Sequence, residues 1–214
     1  MAVDCPDWSG AESAEKLPHV VLGMFEFHRF VFRNAKVHII DHGDIKTWHG
    51  RIFKKVVPLF YYAGNYRADD LTKPCLQMDV AVDGSPGAPF QRVPDLMRQF
   101  SSDLSSSVSK TSRYISSGSV SPTQRTRAVF MLVAFAVGRF LQIHPFRNGN
   151  GRMSRLLGNY LLHRFDYPLL HPHPYDHPVG REYDVAAEAC MQGDFTLMFQ
   201  FILTSIAAAS PASS

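Results

Sequence analysis

The sequence contains few cysteines and has only a small excess of positive charge. Its 214 residues include only three cysteines, Cys5, Cys75 and Cys190. An odd number at wide spacing argues against a disulfide framework, so we expect free thiols in a reducing compartment. The formal net charge is only +3, and no dense run of Lys and Arg occurs. This balance argues against nucleic acid as a partner.

Long apolar runs are also missing. The longest, residues 128–143, is interrupted by Gly138 and Arg139, so it predicts a buried core helix and not a membrane span. The first residues read M-A-V-D-C-P and lack the basic and then apolar pattern of a secretion signal. We therefore expect a cytoplasmic protein that contacts no membrane.

What remains is typical of one globular domain, with 45% hydrophobic and 19% charged residues. Apolar residues recur at helical spacing in several stretches, and His49 on one of them is expected to be a satisfied structural residue. The predicted helices cover 17–40, 44–59, 94–104, 123–143, 149–165 and 181–206, the last with a break at Gly193 and Asp194. We expect flexible ends at 1–16 and 207–214, and a mobile loop in the serine-rich stretch 101–121.

One segment has the pattern of a strand. Between residues 76 and 82 apolar and polar residues alternate, and turn chemistry follows at 83–87. These features predict a half-buried strand that turns into a hairpin. The histidines at 171, 173 and 177 lie among prolines. They predict a stiff extended loop in preference to a metal site, because no matching ligand set accompanies them.

The most informative segment is 144–155, which reads H-P-F-R-N-G-N-G-R-M-S-R. It joins two apolar helical stretches and combines a histidine, a glycine-flanked asparagine and two arginines. The backbone N–H groups at the start of the second helix can point at an anion. Arg152 and Arg155 are three residues apart and therefore reach the same side of that helix. The segment predicts a base beside a phosphate cradle.

This segment resembles the signature of the Fic family, H-P-F-x-[D/E]-G-N-G-R-x-x-R. Residues 63–67, A-G-N-Y-R, are similar to the family's A-G-x-x-R segment, and 183–203 look like the C-terminal part of its fold. The resemblance implies an all-α, mainly helical Fic fold with a short β-hairpin flap, and a Fic domain over residues 17–206. It also implies an activity of the protein adenylyltransferase type.

Such enzymes most often transfer AMP from ATP to a hydroxyl group of a target protein. The resemblance implies that His144 is the general base that deprotonates the incoming hydroxyl, and that Phe146 anchors the loop in the core. It further implies that the target docks on the hairpin near residues 76–90 by adding a strand. No nucleic acid and no membrane are expected among the partners.

The resemblance implies that the remaining signature residues bind the nucleotide. Asn150 and the neighbouring amides of Gly149 and Gly151 would hold the α-phosphate, where charge develops in the transition state. Arg152 would reach the β-phosphate and Arg155 the γ-phosphate. His144, Asn150 and Arg152 are thus the expected catalytic residues, and ATP is the expected cofactor.

Asn148 departs from the signature, because the family has Asp or Glu there to coordinate Mg²⁺. An amide oxygen can ligate Mg²⁺ but supplies no negative charge. We therefore expect a weakened Mg²⁺ site at Asn148, which a carboxylate in its place would strengthen. A transferase of another group (UMP, phosphoryl or phosphocholine) and a catalytically silent nucleotide-binding module remain open as alternatives.

Control of the site is a further point of difference from the family. Many members carry an inhibitory [S/T]-x-x-x-E-[G/N] helix whose glutamate pairs with the second arginine of the signature. None of the five glutamates in this sequence has that context. The expectation is that a partner protein supplies such a glutamate to Arg155, or that Asn148 itself restrains the site.

Overall fold

Seven helices and one hairpin make up the computed structural model, which describes residues 4–8, 16–82, 84–170, 178 and 180–209. The mainly helical fold with a short hairpin is the predicted fold class. The helices are α1 (Leu17–Asn34), α2 (His42–Phe53), α3 (Val93–Ile115), α4 (Pro122–Ile143), α5 (Asn150–Arg164), α6 (Glu182–Met191) and α7 (Thr196–Ala209). Single 3-10 turns lie at Phe60–Tyr62, Pro74–Leu76 and Phe90–Arg92.

Helix α4 is the centre of the fold, and α3, α5, α6 and α7 all pack against it. It begins with a capping box, in which Ser121 and Gln124 exchange hydrogen bonds between side chain and backbone. By length and composition α4 could cross a membrane, but 61% of its apolar window is buried inside the molecule. The prediction of a buried core helix is confirmed.

Helix α3 corrects the expectation of a mobile serine-rich loop. Residues 93–115 form one helix, and only 116–121 connect it to α4. Its buried residues Met97, Phe100, Leu104 and Val108 recur every three or four positions, which places most of the serines on the other face. The serine content concealed this periodicity from composition-based reasoning.

The hairpin is shorter than its sequence pattern suggested. Strand β1 is only Ala81–Val82 and pairs antiparallel with β2, Ser85–Pro86. The expected strand from residue 76 is wrong, because the chain forms a 3-10 turn there and the carbonyl of Leu76 accepts the N–H of Ala68. The 3-10 turn takes Leu76 out of the extended conformation that a strand needs.

Helix boundaries differ from the predicted ones by a few residues. Helix α1 ends at residue 34 and not 40, and α2 spans 42–53 and not 44–59 because a capping box of Asp41 and Asp44 fixes its start. The break between α6 and α7 falls at Gly193, whose φ of 89° is left-handed. The histidines at 171, 173 and 177 and most of the predicted flexible ends lie outside the described residues.

The cysteines correct another expectation. Cys5 and Cys75 form a disulfide across 70 residues of sequence, and only Cys190, which is buried, has a free thiol. The expectation of three free thiols is therefore wrong for two of them. The bond fastens residues 4–8 to the folded domain, and Trp8 is only 3% exposed. The cytoplasmic location and the domain limits stay predictions.

Gly138 gives a test of how tightly α4 is packed. A Cβ at this position would overlap the Phe195 ring and lie 3.0 Å from Cys190 Sγ. We expect Gly138→Ala to lower the free energy of unfolding by roughly 1–3 kcal/mol, measured by chemical denaturation. Gly50→Ala in α2 is the matched control, because its Cβ meets nothing closer than 3.5 Å. Equal effects of the two substitutions would contradict this packing.

Candidate functional site

The predicted site residues meet at a cavity of about 640 Å³ between the start of α5, the hairpin and α6. Phe146 is the exception, because it is fully buried under the loop. From the signature segment, the cavity is lined by His144, Arg147, Asn148, Gly149, Asn150, Gly151, Arg152 and Arg155. The segment 144–149 is hereafter called the signature loop.

His144 ends helix α4 in a left-handed conformation, with φ 53° and ψ 59°. Its N–H still donates to the Phe140 carbonyl at 3.0 Å, so the residue closes the helix and turns the chain into the signature loop. The hairpin backbone packs directly against it, since a Cβ on Gly87 would lie 2.9 Å from His144 Cβ. Position 87 therefore requires glycine.

Arg67 fixes the junction between the end of α4 and the hairpin. Its guanidinium is fully buried and donates to four carbonyl oxygens, those of His144 (3.0 Å), Ile143 (3.0 Å), Ala88 (2.8 Å) and Met78 (3.3 Å). Burial lowers its pKa to about 10, which leaves it cationic at neutral pH. Sequence reasoning noted Arg67 only as part of a family segment and missed this role.

The His144 side chain is placed to accept a proton. Its Nδ1 lies 3.3 Å from the Leu141 carbonyl oxygen, which can only accept, so Nδ1 carries the hydrogen and Nε2 has a free lone pair. Burial, helped by the charge of Arg67, lowers the pKa of His144 to about 4. The imidazole is therefore neutral at physiological pH, as a base must be.

His144 also lines a second cavity, of about 410 Å³, next to the first. Helix α6 supplies the far wall, with Asp184, Val185 and Glu188 among its residues. The hairpin contributes Val82 and Ser85. His144 therefore stands in a wall that the two cavities share.

The signature loop is closed by an exchange between Phe146 and Asn150. The Asn150 side chain accepts from the Phe146 N–H and donates to the Phe146 carbonyl, both at 2.9 Å. Both polar atoms of the Asn150 side chain are therefore engaged inside the loop. The backbone N–H of Asn150 lies at the start of α5 and borders the cavity, where it can make the phosphate contact that the sequence suggested.

His49 supports the loop from α2. Its ring stacks on Phe146, with centroids 3.7 Å apart and planes 8° apart. The Gly64 N–H donates to Nδ1 at 2.9 Å, so Nε2 carries the hydrogen and donates to the Asn148 carbonyl at 3.1 Å. Burial lowers the pKa of His49 to about 3. The expectation of a satisfied structural histidine is confirmed.

Three arginines form the cationic side of the cavity. Arg152 and Arg155 are 7% and 5% exposed, and Arg155 lies over the Tyr183 ring at 5.8 Å. Arg147 lies over the Tyr62 ring at 5.2 Å. Sequence reasoning did not single out Arg147, because it occupies the variable position of the signature. Three guanidinium groups around one cavity suit a polyphosphate.

The start of α5 adds backbone donors to this cationic side. Gly149 precedes the helix with φ 81°, and no side chain caps the helix there. A Cβ on Gly149 would lie 2.6 Å from the Phe53 ring, so only glycine fits. The first N–H groups of α5 border the cavity, where the helix dipole favours an anion.

Asn148 does not fit the magnesium role that the signature assigns to its position. Its Oδ1 accepts from the Gly149 N–H, and its Nδ2 donates to the carbonyl of Trp8. The described lining of the cavity contains one carboxylate, Asp184, which lies on α6. No group of three or more His, Cys, Asp or Glu that could hold a metal occurs among the described residues. Mg²⁺ prefers charged oxygens, which the signature loop does not offer.

Comparison with known proteins identifies both a family and a fold. A sequence profile of the Fic/DOC family matches residues 39–162. A Fic domain-containing signaling protein from Bacteroides thetaiotaomicron is similar, with TM-score 0.61 and 19% identity, over 89% of this chain. The chain spans 66% of the length of that protein. No curated protein matches the sequence.

A second similar structure is BepC, a VirB-translocated effector protein from Bartonella tribocorum, solved with bound AMPPNP. It has TM-score 0.59 and 16% identity, and the match covers 90% of this chain and 87% of that one. At such identities both structures show the fold alone.

The role of His49 can be tested by His49→Phe. The ring stack is kept, but the Gly64 N–H and the Asn148 carbonyl lose their partner, so we expect a loss of roughly 2–4 kcal/mol in the free energy of unfolding at pH 7. The variant should also be less sensitive to acid. His49 has an ordinary pKa of 6.5 that folding lowers to about 3, so its contribution is full above pH 6.5 and is lost as pH falls towards 3.

Denaturation at pH 7 and pH 5 measures both effects. His49→Gln keeps a donor for the Asn148 carbonyl and should lose less stability. His19→Phe, at an exposed position, is the control. A stability of His49→Phe within about 0.5 kcal/mol of the parent at pH 7, the usual range for neutral surface changes, would contradict this role.

Proposed function

Because this chain belongs to the Fic/DOC family, whose members are typically nucleotide-transferring enzymes, we propose that it transfers AMP from ATP to a hydroxyl side chain of a target protein. His144 is the general base of this reaction. The observation that carries the proposal is the neutral imidazole of His144 in the wall between the arginine-lined cavity and the cavity next to α6.

The reaction uses groups on both sides of His144. The acceptor oxygen attacks the α-phosphorus of ATP while its proton passes to His144 Nε2. The bond between the α-phosphorus and the bridging oxygen to the β-phosphate breaks, and pyrophosphate leaves. Arg152 and Arg155 stabilise the negative charge of the leaving group, and the N–H groups at the start of α5 stabilise the α-phosphate.

This mechanism includes no metal step. The signature resemblance predicts Mg²⁺, but the amide of Asn148 is engaged at both ends, and the charge of the phosphates is balanced by guanidinium groups. The engaged amide also favours one alternative, a silent module that binds nucleotide without transferring it. Transfer of UMP, a phosphoryl group or phosphocholine is separated from AMP transfer by the choice of labelled donor.

The target protein is proposed to dock on the hairpin side of the second cavity. Residues Ala81–Val82 form a short edge there, and Val82 is 41% exposed. An added strand would bring a hydroxyl side chain close to His144. An inhibitory partner that supplies a glutamate to Arg155 also stays a prediction, and it would meet a guanidinium that already lies over the Tyr183 ring.

The role of His144 is tested by His144→Ala. We expect transfer to fall by roughly a hundredfold or more, with ATP affinity kept within about twofold, because the arginines bind the phosphates. Transfer is measured with labelled ATP, GTP, UTP and CTP and a lysate as the source of targets. Arg98→Ala, at an exposed position on α3, is the control. Transfer by His144→Ala close to the parent rate would remove His144 from the base role, and label from a nucleotide other than ATP would correct the cargo.

The pH dependence of transfer follows from the lowered pKa of His144. A base acts only when it is unprotonated, so kcat/KM falls with acid through the pKa of the free enzyme. With the pKa of His144 at about 4, kcat/KM should change little between pH 8 and pH 6. A half-maximal point near pH 6.5, the ordinary value for histidine, would show that the imidazole is solvated in the free enzyme.

A further inference from the structure

We propose that the Cys5–Cys75 disulfide is a redox modification site that controls the order of the signature loop and, through it, the affinity for nucleotide. The second half of this inference rests on the nucleotide binding proposed above. Its structural basis is a chain of contacts that leads from the disulfide to Asn148.

The disulfide holds residues 4–8 against the turn at Phe60–Tyr62 and against α2. Tyr62 donates its hydroxyl hydrogen to the Pro6 carbonyl at 3.2 Å. The Trp8 ring stacks on Tyr62 with centroids 5.9 Å apart, and it meets Phe53 and His49 edge-on at 5.6 Å and 5.7 Å. Through the buried Trp8, segment 4–8 thus supports the two α2 residues that contact the signature loop.

The segment also binds the loop directly. The Trp8 carbonyl accepts a hydrogen bond from Asn148 Nδ2, while His49 holds the Asn148 carbonyl. Trp8 does not line the cavity, so it supports the loop from outside and does not occupy the nucleotide position. A carboxylate at position 148 would place an acceptor oxygen against the Trp8 carbonyl. Asn148 is therefore a positioning residue, and the amide suits the tethered segment.

The tether is reversible by ordinary thiol chemistry. Cys75 is 1% exposed, whereas Cys5 is half-buried and open to attack. A thiolate of a dithiol reductant attacks Cys5 Sγ, the bond between the two sulfurs breaks, and Cys75 leaves as a thiolate that takes up a proton. The second thiol of the reductant then releases Cys5, so that two electrons and two protons reach the protein and the reductant becomes a disulfide.

Reduction frees a segment that lies 70 residues away from its anchor in sequence. The contacts that remain include the hydrogen bonds from Tyr62 and Asn148 and the packing of the Trp8 indole ring. Without the tether, noncovalent contacts alone must offset the conformational entropy lost in ordering residues 4–8, roughly 1–2 kcal/mol per residue. We therefore expect the reduced protein to hold Asn148 less firmly and to bind nucleotide more weakly.

The first test is ATP affinity, measured by calorimetry without metal, on oxidised protein and on protein reduced with dithiothreitol. Wild-type affinity should fall by roughly threefold to tenfold on reduction, the range for loss of one hydrogen bond. The double variant Cys5→Ser/Cys75→Ser should bind like reduced wild type and should not respond. Cys190→Ala removes the free thiol and should respond fully. An unchanged wild-type affinity, with two new thiols confirmed by titration, would overturn control of the affinity.

Asn148→Asp distinguishes support through the amide from a general loss of stability. In this variant the tethered Trp8 carbonyl faces a carboxylate, so freeing the segment relieves a repulsion. Reduction should therefore leave its ATP affinity unchanged or increase it, whereas the ATP affinity of wild type should fall. An equal fall in both proteins would show that Asn148 does not transmit the effect.

Hydrogen exchange of wild-type protein without nucleotide gives a measurement that depends neither on a substitution nor on the proposed function. Amides of residues 144–152 should exchange several-fold faster after reduction, while those in the middle of α4 should not change. Unchanged exchange in the signature loop would overturn the inference. If ATP binds in neither redox state, the proposed function fails, whereas the exchange result still decides whether the disulfide orders the loop.

Discussion

The buried guanidinium of Arg67 is the interaction on which the site depends. A buried cation is costly unless hydrogen bonds replace its water, and Arg67 meets that requirement with carbonyls from the end of α4 and from both arms of the hairpin. One side chain thus ties the end of α4 to the residues that flank both strands of the hairpin. The position of His144 relative to the hairpin, and hence to any acceptor docked there, follows from this connection.

Burial also determines which side chains in the site are neutral and which are charged. His144 and His49 are shielded from water and stay neutral, while the guanidinium groups of Arg152 and Arg155 keep their charge because arginine is rarely deprotonated in proteins. The same low-dielectric environment therefore gives a neutral base next to fixed cations. A phosphate that enters between them meets charges that need no reorganisation, which is the condition for electrostatic stabilisation of a transition state.

Sequence reasoning predicted the structural features that are determined by residues close to one another in the chain. The helices around residues 123–143 and 149–165, the break at Gly193 and the grouping of the signature residues at one cavity all follow from local periodicity, turn chemistry and spacing. The second half of helix α3, beyond the predicted 94–104, was missed because serine is a poor indicator of helix, although its apolar residues have the right spacing. The hairpin was overestimated because an alternating pattern does not show where the backbone leaves the extended conformation, as it does in the 3-10 turn at Pro74–Leu76.

The other features that sequence reasoning missed join residues far apart in the chain. Neither the carbonyl partners of Arg67 nor the pairing of Cys5 with Cys75 has a local pattern. Asn148 shows why this matters for interpretation. Judged by the signature alone, the amide of Asn148 is a weaker metal ligand than the family carboxylate. In the fold, however, a carboxylate at this position would repel the carbonyl oxygen of Trp8, 140 residues away. A departure from a motif can therefore be a fit to a contact outside the motif, and only the fold shows which contact that is.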